Sequence, residues 1–600
     1  MATEFKTVSD MLLHRVSSTP SHEAYSYPDG SGWKRVTWKD FGDQVKDAAM
    51  GLRALGLQNE QRVGLVCSTR YEWIVADMAI NCAGAATTTV YPSSTEEDSV
   101  YILNDSNSAV VFAENADQVK KLVNRKAELK SVKQVVVIDG PGGHDGWVMS
   151  WADLVAKGRA ASWADFETVA RSAKASDLAT LIYTSGTTGK PKGVELTHDC
   201  WVYEAQALDE LNLLRADDVQ YLWLPLAHSF GKLLEVAQIR LGFATAVDGR
   251  VDKIVENLGV VKPTFVAAVP RIFEKVYNKV VGGAKEGGGL KYSIFKWAIG
   301  VGKEVSKLKQ ARQPVTGMLA MKNSIADKLV FSKLKDRFGG RVRYFISGSA
   351  PLSREIAEFF HACDILILEG YGLTESSAFS FVNRPDNFEF GSVGQPAPGT
   401  QLKIEPESGE ILIKGRGIMR GYHGLKEATA ESLKDGWLHT GDKGELTALG
   451  NLKITDRIKD LIKTSGGKYV APQTIEGKFK SSCPYVSQVL VHGNNRNFCT
   501  ALVALDPVEI TNWARNNQLA GNYAEIVKDP KVHALIKPYF DELNKSLANY
   551  ESIKRFAILP QDLTLEAGDL TPSLKLKRKA VEGKYKELLD GFYAGGIAEV

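Results

Sequence analysis

The sequence predicts an α/β protein in two parts: a large N-terminal α/β domain of several subdomains and a small, mobile C-terminal α+β domain. Three observations carry the prediction. Helical stretches such as residues 41–55 alternate with short apolar runs, among them Val63-Gly64-Leu65-Val66, Ala109-Val110-Val111-Phe112 and Val135-Val136-Val137-Ile138, the order of an α/β layer architecture. The runs at 265–269 and 365–368 are apolar on both faces, as parallel strands covered by helices are. After about residue 456 the texture changes. Short strands at 486–491 and 500–505 flank the turn signal Gly493-Asn494-Asn495, and charged helical segments follow.

At 600 residues the chain exceeds one compact core, and a prior of roughly one domain per 150 residues allows two to four units. With 44% hydrophobic and 24% charged residues, and 21 prolines against 54 glycines, the composition is that of an ordinary folded protein. Lys and Arg number 74 against 71 Asp and Glu, a formal charge of +3, so there is no global basic field and nucleic acid is excluded as a partner. The six cysteines, Cys67, Cys82, Cys200, Cys363, Cys483 and Cys499, contain no C-x-x-C pair; they read as buried thiols in a reducing compartment. The first twenty residues lack an apolar core after a basic start, and no later stretch of about 18 residues is apolar and uncharged. A soluble cytoplasmic protein is expected, at most peripheral at the inner face of a membrane.

The near-neutral total conceals one basic segment, 285–337, with twelve Lys/Arg and four Asp/Glu. Within it Ile294, Ala298, Val301, Val305 and Leu308 recur at three and four, and Met321, Ile325, Leu329, Leu334 and Phe338 nearly so, predicting two amphipathic helices on either side of Pro314. Two readings stand: a solvated charged face whose apolar stripe packs inward, or a surface that attracts an anionic membrane or acyl-CoA.

The most biased run is Tyr183-Thr184-Ser185-Gly186-Thr187-Thr188-Gly189-Lys190-Pro191-Lys192-Gly193-Val194, which follows the apolar residues 178–182 and predicts strand, loop, strand. Hydroxyls and glycines this dense bring side-chain O–H and backbone N–H groups to phosphate oxygens, while Lys190 and Lys192 supply charge. It is not a Walker A loop. Thr184 stands where that motif requires glycine, and Pro191 follows Lys190 where Ser or Thr would ligate magnesium. Read as composition alone, the alternative is a Gly-rich hairpin loop. Almost residue for residue, the run resembles the phosphate-loop signature of the adenylate-forming (AMP-binding) enzymes, which include acyl-CoA synthetases, firefly luciferases and peptide-synthetase adenylation domains.

The other motifs of that family follow in order. Ser347-Gly348-Ser349-Ala350-Pro351 is similar to its adenine-side segment, and Glu369-Gly370-Tyr371-Gly372-Leu373-Thr374-Glu375 follows an apolar strand. The resemblance implies nucleotide binding by Gly348, Ser349, Ala350, Glu369, Gly370 and Gly372, with Tyr371 near adenine, Thr374 on the α-phosphate and Glu375 as the Mg²⁺ ligand. A hard cation bridging phosphates wants carboxylate oxygen, which agrees. Asp435-Gly436-Trp437-Leu438-His439-Thr440-Gly441-Asp442, with Ile454-Thr455-Asp456-Arg457-Ile458-Lys459 behind it, resembles acyl-CoA synthetases. Asp442 would accept from both ribose hydroxyls, Arg457 would donate to the ribose, and Lys459 would be the hinge. The expected division is therefore 1–456, a hinge at 457–459, and a lid at 460–600. The loop Thr464-Ser465-Gly466-Gly467-Lys468-Tyr469-Val470 is one residue longer than the luciferase-like version.

Thr571-Pro572-Ser573-Leu574-Lys575-Leu576-Lys577-Arg578 resembles the C-terminal catalytic-lysine motif, with Leu574 where most of the family has glycine. Lys575 is the expected lysine because Arg578 then falls three residues beyond it; Lys577 competes. Together with Tyr550-Glu551-Ser552-Ile553-Lys554-Arg555-Phe556, this pattern resembles long-chain fatty acyl-CoA synthetases. The run 223–231 looks like the acyl-side segment, where His228 is either a pocket wall or a satisfied core histidine. The resemblance implies ATP, Mg²⁺ and coenzyme A, with catalysis by Lys575, Glu375, Thr184 and Lys190, and conversion of a fatty acid to acyl-AMP and then acyl-CoA. Three rivals remain: a fatty acyl-AMP ligase that serves a carrier protein, an amino-acid adenylation domain, and a non-catalytic acyl- or nucleotide-binding protein. The last is expected to lose Glu375, Asp442 or Lys575, and all three are present.

Overall fold

The computed structural model describes residues 4–161, 165–184, 190–458, 460–571 and 575–594. Ser185, Gly186, Thr187, Thr188, Gly189 and Lys459 lie outside the described residues, as do Pro572, Ser573 and Leu574.

Two mostly parallel sheets form the N-terminal part. In one, Leu178–Thr184, Ala86–Val90, Arg62–Val66, Ser108–Asn115 and Gln134–Asp139 lie side by side in parallel, and Lys192–Thr197 turns back antiparallel on Leu178–Thr184. In the other, Ile367–Tyr371, Tyr344–Ser347, Phe265–Ala268, Val219–Leu222 and Ala244–Val247 are parallel neighbours. The all-apolar runs are here because helices cover both faces: every residue from Val63 to Val66 and of Phe265–Ala268 is buried. The strand expected at 365–368 begins two residues later. Asp364 takes φ 60° and the Ile365 N–H donates to the Phe360 carbonyl, so these residues close the preceding helix Arg354–Ala362.

A third, antiparallel sheet carries the Trp437–Leu446 and Leu452–Arg457 hairpin, whose register sets Asp442 directly opposite Arg457. Asp435 and Gly436, at φ 52° and 77°, make the two-residue turn that joins Leu433–Lys434 to Trp437–Leu446; both positions need the left-handed region. Beyond it, Val486–His492 and Cys499–Leu505 pair antiparallel, and Ile553–Ile558 adds in parallel to the latter. Two apolar clusters serve this part, and their buried members run from Ile462 to Leu589; the other three clusters draw no buried member from beyond Leu452. All six cysteines are buried and unpaired. Among the described residues, no helix is long and apolar enough to cross a membrane.

Helices Gly289–Gln310 and Gly317–Ala326 flank Pro314 as the periodicity predicts, but the two stripes differ in fate. Ala298, Val301 and Val305 are buried, whereas Met321, Ile325 and Leu329 are 44–54% exposed, and only Leu334 and Phe338 of the second stripe go inside. The five-residue step from Leu329 to Leu334 coincides with a π-helical turn over Asp327–Phe331, which rotates the later positions onto the core.

Candidate active site

A cavity of about 3470 Å³ is lined by the C-terminal ends of both parallel sheets and by residues of the C-terminal part. Strand ends of this kind are where open α/β sheets bind ligands. Thr184 and Lys190, Gly348 to Ala350, Glu369 to Glu375, Asp442, Arg457, His228 and Lys575 all line it. The structure thus brings together every candidate it describes.

The tight turn after Ile367–Tyr371 depends on glycine: a Cβ on Gly372 would stand 2.1 Å from the Ala378 carbonyl oxygen. Ser349 adopts φ 69° in the small-residue segment.

Asp442 is buried, and both of its oxygens accept: Oδ2 from the Tyr371 hydroxyl at 2.6 Å and Oδ1 from Arg457 Nε at 3.2 Å. Burial raises its pKa above the usual aspartate value, while Arg457 and the Tyr371 hydrogen bond oppose the rise. Glu375 stands in the turn Thr374–Ser376, and its Oε1 accepts from the Tyr422 hydroxyl at 2.8 Å. Glu369 is buried, with Oε1 accepting a 3.3 Å bond from the Gly391 N–H; burial pushes its carboxyl up to about 8, against backbone hydrogen bonds from Gly391 and Leu352.

Lys575 is held by its own backbone: its N–H donates to Thr571 Oγ1 at 3.0 Å and its carbonyl accepts from the Thr571 N–H at 2.7 Å. The side chain is open to cavity solvent yet crowded at longer range by protein. That crowding lowers the ammonium pKa, Arg457 lowers it further, and Asp442 and Glu375 pull it back. Lys575, the first of the two competing lysines, is therefore in the field of the nucleotide-side carboxylates. Arg578 is spent elsewhere, on a two-pronged ion pair with Glu476 at 2.7 and 2.9 Å.

His228 caps helix Ser229–Leu241, its Nδ1 accepting from the Phe230 N–H at 3.2 Å. Burial, with Lys575 nearby, lowers its pKa to about 3, so the ring is neutral and carries its proton on Nε2. It is both a cavity wall and a helix cap, which joins the two alternatives the sequence left open.

Two tyrosines, Tyr101 and Tyr422, escaped the sequence reading, and a third, Tyr183, entered it only as the first residue of the loop run. Lys190 lies 4.9 Å from the centre of the Tyr101 ring, and Lys192 4.9 Å from that of Tyr422. Tyr183, at the loop's entrance, donates to Asp105 at 2.6 Å. Tyr422 is set by the strand Gly421–Tyr422, paired to Lys192–Thr197, and by its neighbours Arg420 and His423, which both bond Glu195. Tyr422 and Glu375 are 47 positions apart, so no local pattern announces the contact.

Residues 12–423 match the AMP-binding enzyme family and residues 459–596 match the C-terminal domain of AMP-binding enzymes. The chain belongs to the AMP-binding enzyme family. It is 34% identical over 594 residues to the long-chain-fatty-acid–CoA ligase FadD15 of Mycobacterium bovis, covering 98% of this chain and 97% of that protein. It is 31% identical to the human long-chain-fatty-acid–CoA ligase ACSBG2, covering 98% and 92%. Among solved structures, the adenylation domain of the carboxylate reductase of Mycobacterium chelonae superposes with a TM-score of 0.78 at 22% identity, covering 98% of this chain and 91% of that one. The Mycobacterium tuberculosis fatty acyl CoA synthetase gives 0.60 at 21%, covering 97% and 99%. These structures share the adenylate-forming fold, a large N-terminal domain with a small C-terminal one.

Proposed function

We propose that this protein activates a long-chain fatty acid with ATP and transfers the acyl group to coenzyme A, releasing pyrophosphate and then AMP. The observation that carries the reading is the convergence of Lys575, from the C-terminal part, on the cavity that holds Glu375, Asp442 and the phosphate-loop hairpin.

A carboxylate must gain a leaving group before a thiol can displace oxygen from it. In the first step the acid's oxygen attacks the α-phosphorus of ATP and pyrophosphate departs. Lys575 bridges carboxylate and phosphate oxygens and holds them in line, while Thr184, Lys190 and Thr374 spread the developing negative charge. Asp442 and Arg457 fix the ribose. Glu375 is the residue that would hold Mg²⁺, whose contribution is to neutralise phosphate charge. The fit is supported by Oε2 of Glu375, which among the described residues has no hydrogen-bond partner. No three His, Cys, Asp or Glu side chains cluster among the described residues, which leaves the remaining positions to phosphate and water, as this ion prefers. In the second step the coenzyme A thiolate attacks the acyl carbon and AMP leaves.

The domains assigned to these steps are 1–456 and 460–600, with rotation about Lys459 between them. The separate apolar clusters of the two parts support that division. Neutral His228 bounds the acyl end of the site. The acid is taken from an anionic membrane surface that segment 285–337 touches.

The test is ATP/pyrophosphate exchange and coenzyme A thioester formation across straight-chain acids from acetate to icosanoate. Thioester yield is expected to peak at long chains. Exchange without thioester for every acid would favour an acyl-AMP ligase, and absence of both would favour a binding protein.

A further inference from the structure

We propose that the helix Gly317–Ala326 and the turn after it form a docking face for an anionic lipid bilayer, with Met318, Met321, Ile325 and Leu329 entering the headgroup layer and Lys322 and Lys328 binding lipid phosphates. The inference rests on the ligase reading only for its purpose, the supply of a water-insoluble acid.

Exposed apolar side chains are not scattered over this protein. Of the seventeen large ones among the described residues, seven fall between 290 and 329: Leu290 78%, Ile294 36%, Trp297 39%, Met318 62%, Met321 54%, Ile325 46% and Leu329 44% exposed. In each helix they share a face, at steps of four and three in Gly289–Gln310 and of three and four in Gly317–Ala326. The first helix has a separate buried face, Ala298, Val301 and Val305, turned to helix Arg354–Ala362. The second has much less: Ala326 is its one buried residue, and half-buried Leu319 packs against the core from the side away from the stripe's exposed members. A helix with so little core contact needs another surface to cover its apolar stripe.

Charge selects that surface. Of the twelve Lys and Arg in 285–337, ion pairs engage only Lys309 and Lys335. Helix Gly317–Ala326 contains no acidic residue, and Lys322 and Lys328 border its stripe on opposite sides. A second copy docked through this patch would set like charges face to face. A bilayer of anionic lipid offers apolar depth and negative charge together, each nearby Lys adding about 1 kcal/mol. Trp297 suits the boundary between the two.

Flotation with vesicles of phosphatidylcholine alone, or with added phosphatidylglycerol, tests the proposal on the full chain. Binding should require the anionic lipid and fall with salt. Met321→Glu/Ile325→Glu and Lys322→Glu/Lys328→Glu should each weaken it at least tenfold, with unchanged circular dichroism and melting. Thioester formation from acid dissolved in buffer should be untouched, and from acid embedded in anionic vesicles reduced. Equal binding to both vesicle types, binding to neither, or parent-like binding by Met321→Glu/Ile325→Glu would overturn the proposal. So would sedimentation velocity showing a dimer that this variant dissociates. Loss of thioester formation by the parent in buffer would sink the ligase reading alone.

Discussion

Asp442 and Glu375 stand in the N-terminal part, on a strand and in a turn, and each is gripped by a tyrosine hydroxyl, at 2.6 and 2.8 Å. Three lysines of the same cavity are placed differently. Lys190 and Lys192 lie against tyrosine rings, and the backbone of Lys575 is bonded to Thr571; among the described residues no ion pair engages any of the three. The difference teaches a division of labour. Carboxylates that must receive a ribose and a metal are oriented in advance and need no rearrangement at the moment of reaction. Cations that must meet phosphate are kept from local carboxylates, so that no pair has to be broken first.

Removing a cation should therefore cost most. Lys575→Ala is expected to lower ATP/pyrophosphate exchange by about 10²–10³-fold, the usual loss for one preorganised charge donor. Thioester formation from supplied acyl-adenylate should fall less than tenfold, since that step does not need the clamp. Because crowding and Arg457 depress the Lys575 pKa, exchange should decline on the alkaline side at a lower pH than an ordinary lysine would give, and Lys575→Arg should move that limb upward. A larger loss in Lys577→Ala than in Lys575→Ala would reverse the assignment of the two lysines.

The contrast also marks what could be read from the chain. The parallel strands were legible because burial on both faces removes polar residues, and the Val486–His492 hairpin because Gly493-Asn494-Asn495 punctuates it. The carboxylates and Lys575 were legible through the resemblance of their motifs to those of the AMP-binding enzymes; around Lys575 there is not even a glycine to mark the place. Their partners were not. Tyr422 reaches Glu375 across 47 positions and Tyr101 reaches the Pro191 carbonyl across 90, and a lone tyrosine in a strand or helix advertises no such contact. The fate of the Met321 stripe was hidden too, because periodicity gives a face but not what covers it.

Tyr422→Phe removes the hydroxyl and keeps the ring under Lys192, which separates the two roles of this residue. One hydrogen bond to a charged group contributes about 1.5 kcal/mol, so kcat for adenylation should drop roughly tenfold. The Mg²⁺ concentration needed for half-maximal rate should rise, because a released Glu375 must be ordered by the ion itself. Tyr422→Leu should cost more than Tyr422→Phe by the loss of the ring. Unchanged Mg²⁺ dependence in Tyr422→Phe would mean that the tyrosine does not orient Glu375.

Glu369 is the carboxyl that fits neither pattern, since among the described residues it has no tyrosine and no cation, only backbone hydrogen bonds from Gly391 and Leu352. Its burial has a definite sign. With the folded-state value near 8 and the unfolded one near 4.5, the folded protein holds a proton between those limits that the unfolded chain has released. Stability from this group is thus complete below about pH 4.5 and is lost as pH rises through 8, by at most about 1.4 kcal/mol per unit. Glu369→Gln carries no titrating proton, so its melting temperature should gain on the parent's steadily from pH 5 to pH 8. Near pH 5 the two should nearly coincide. Parallel curves over that range would mean that Glu369 is ionised in the folded state and that a cation of the cavity has been drawn to it after all.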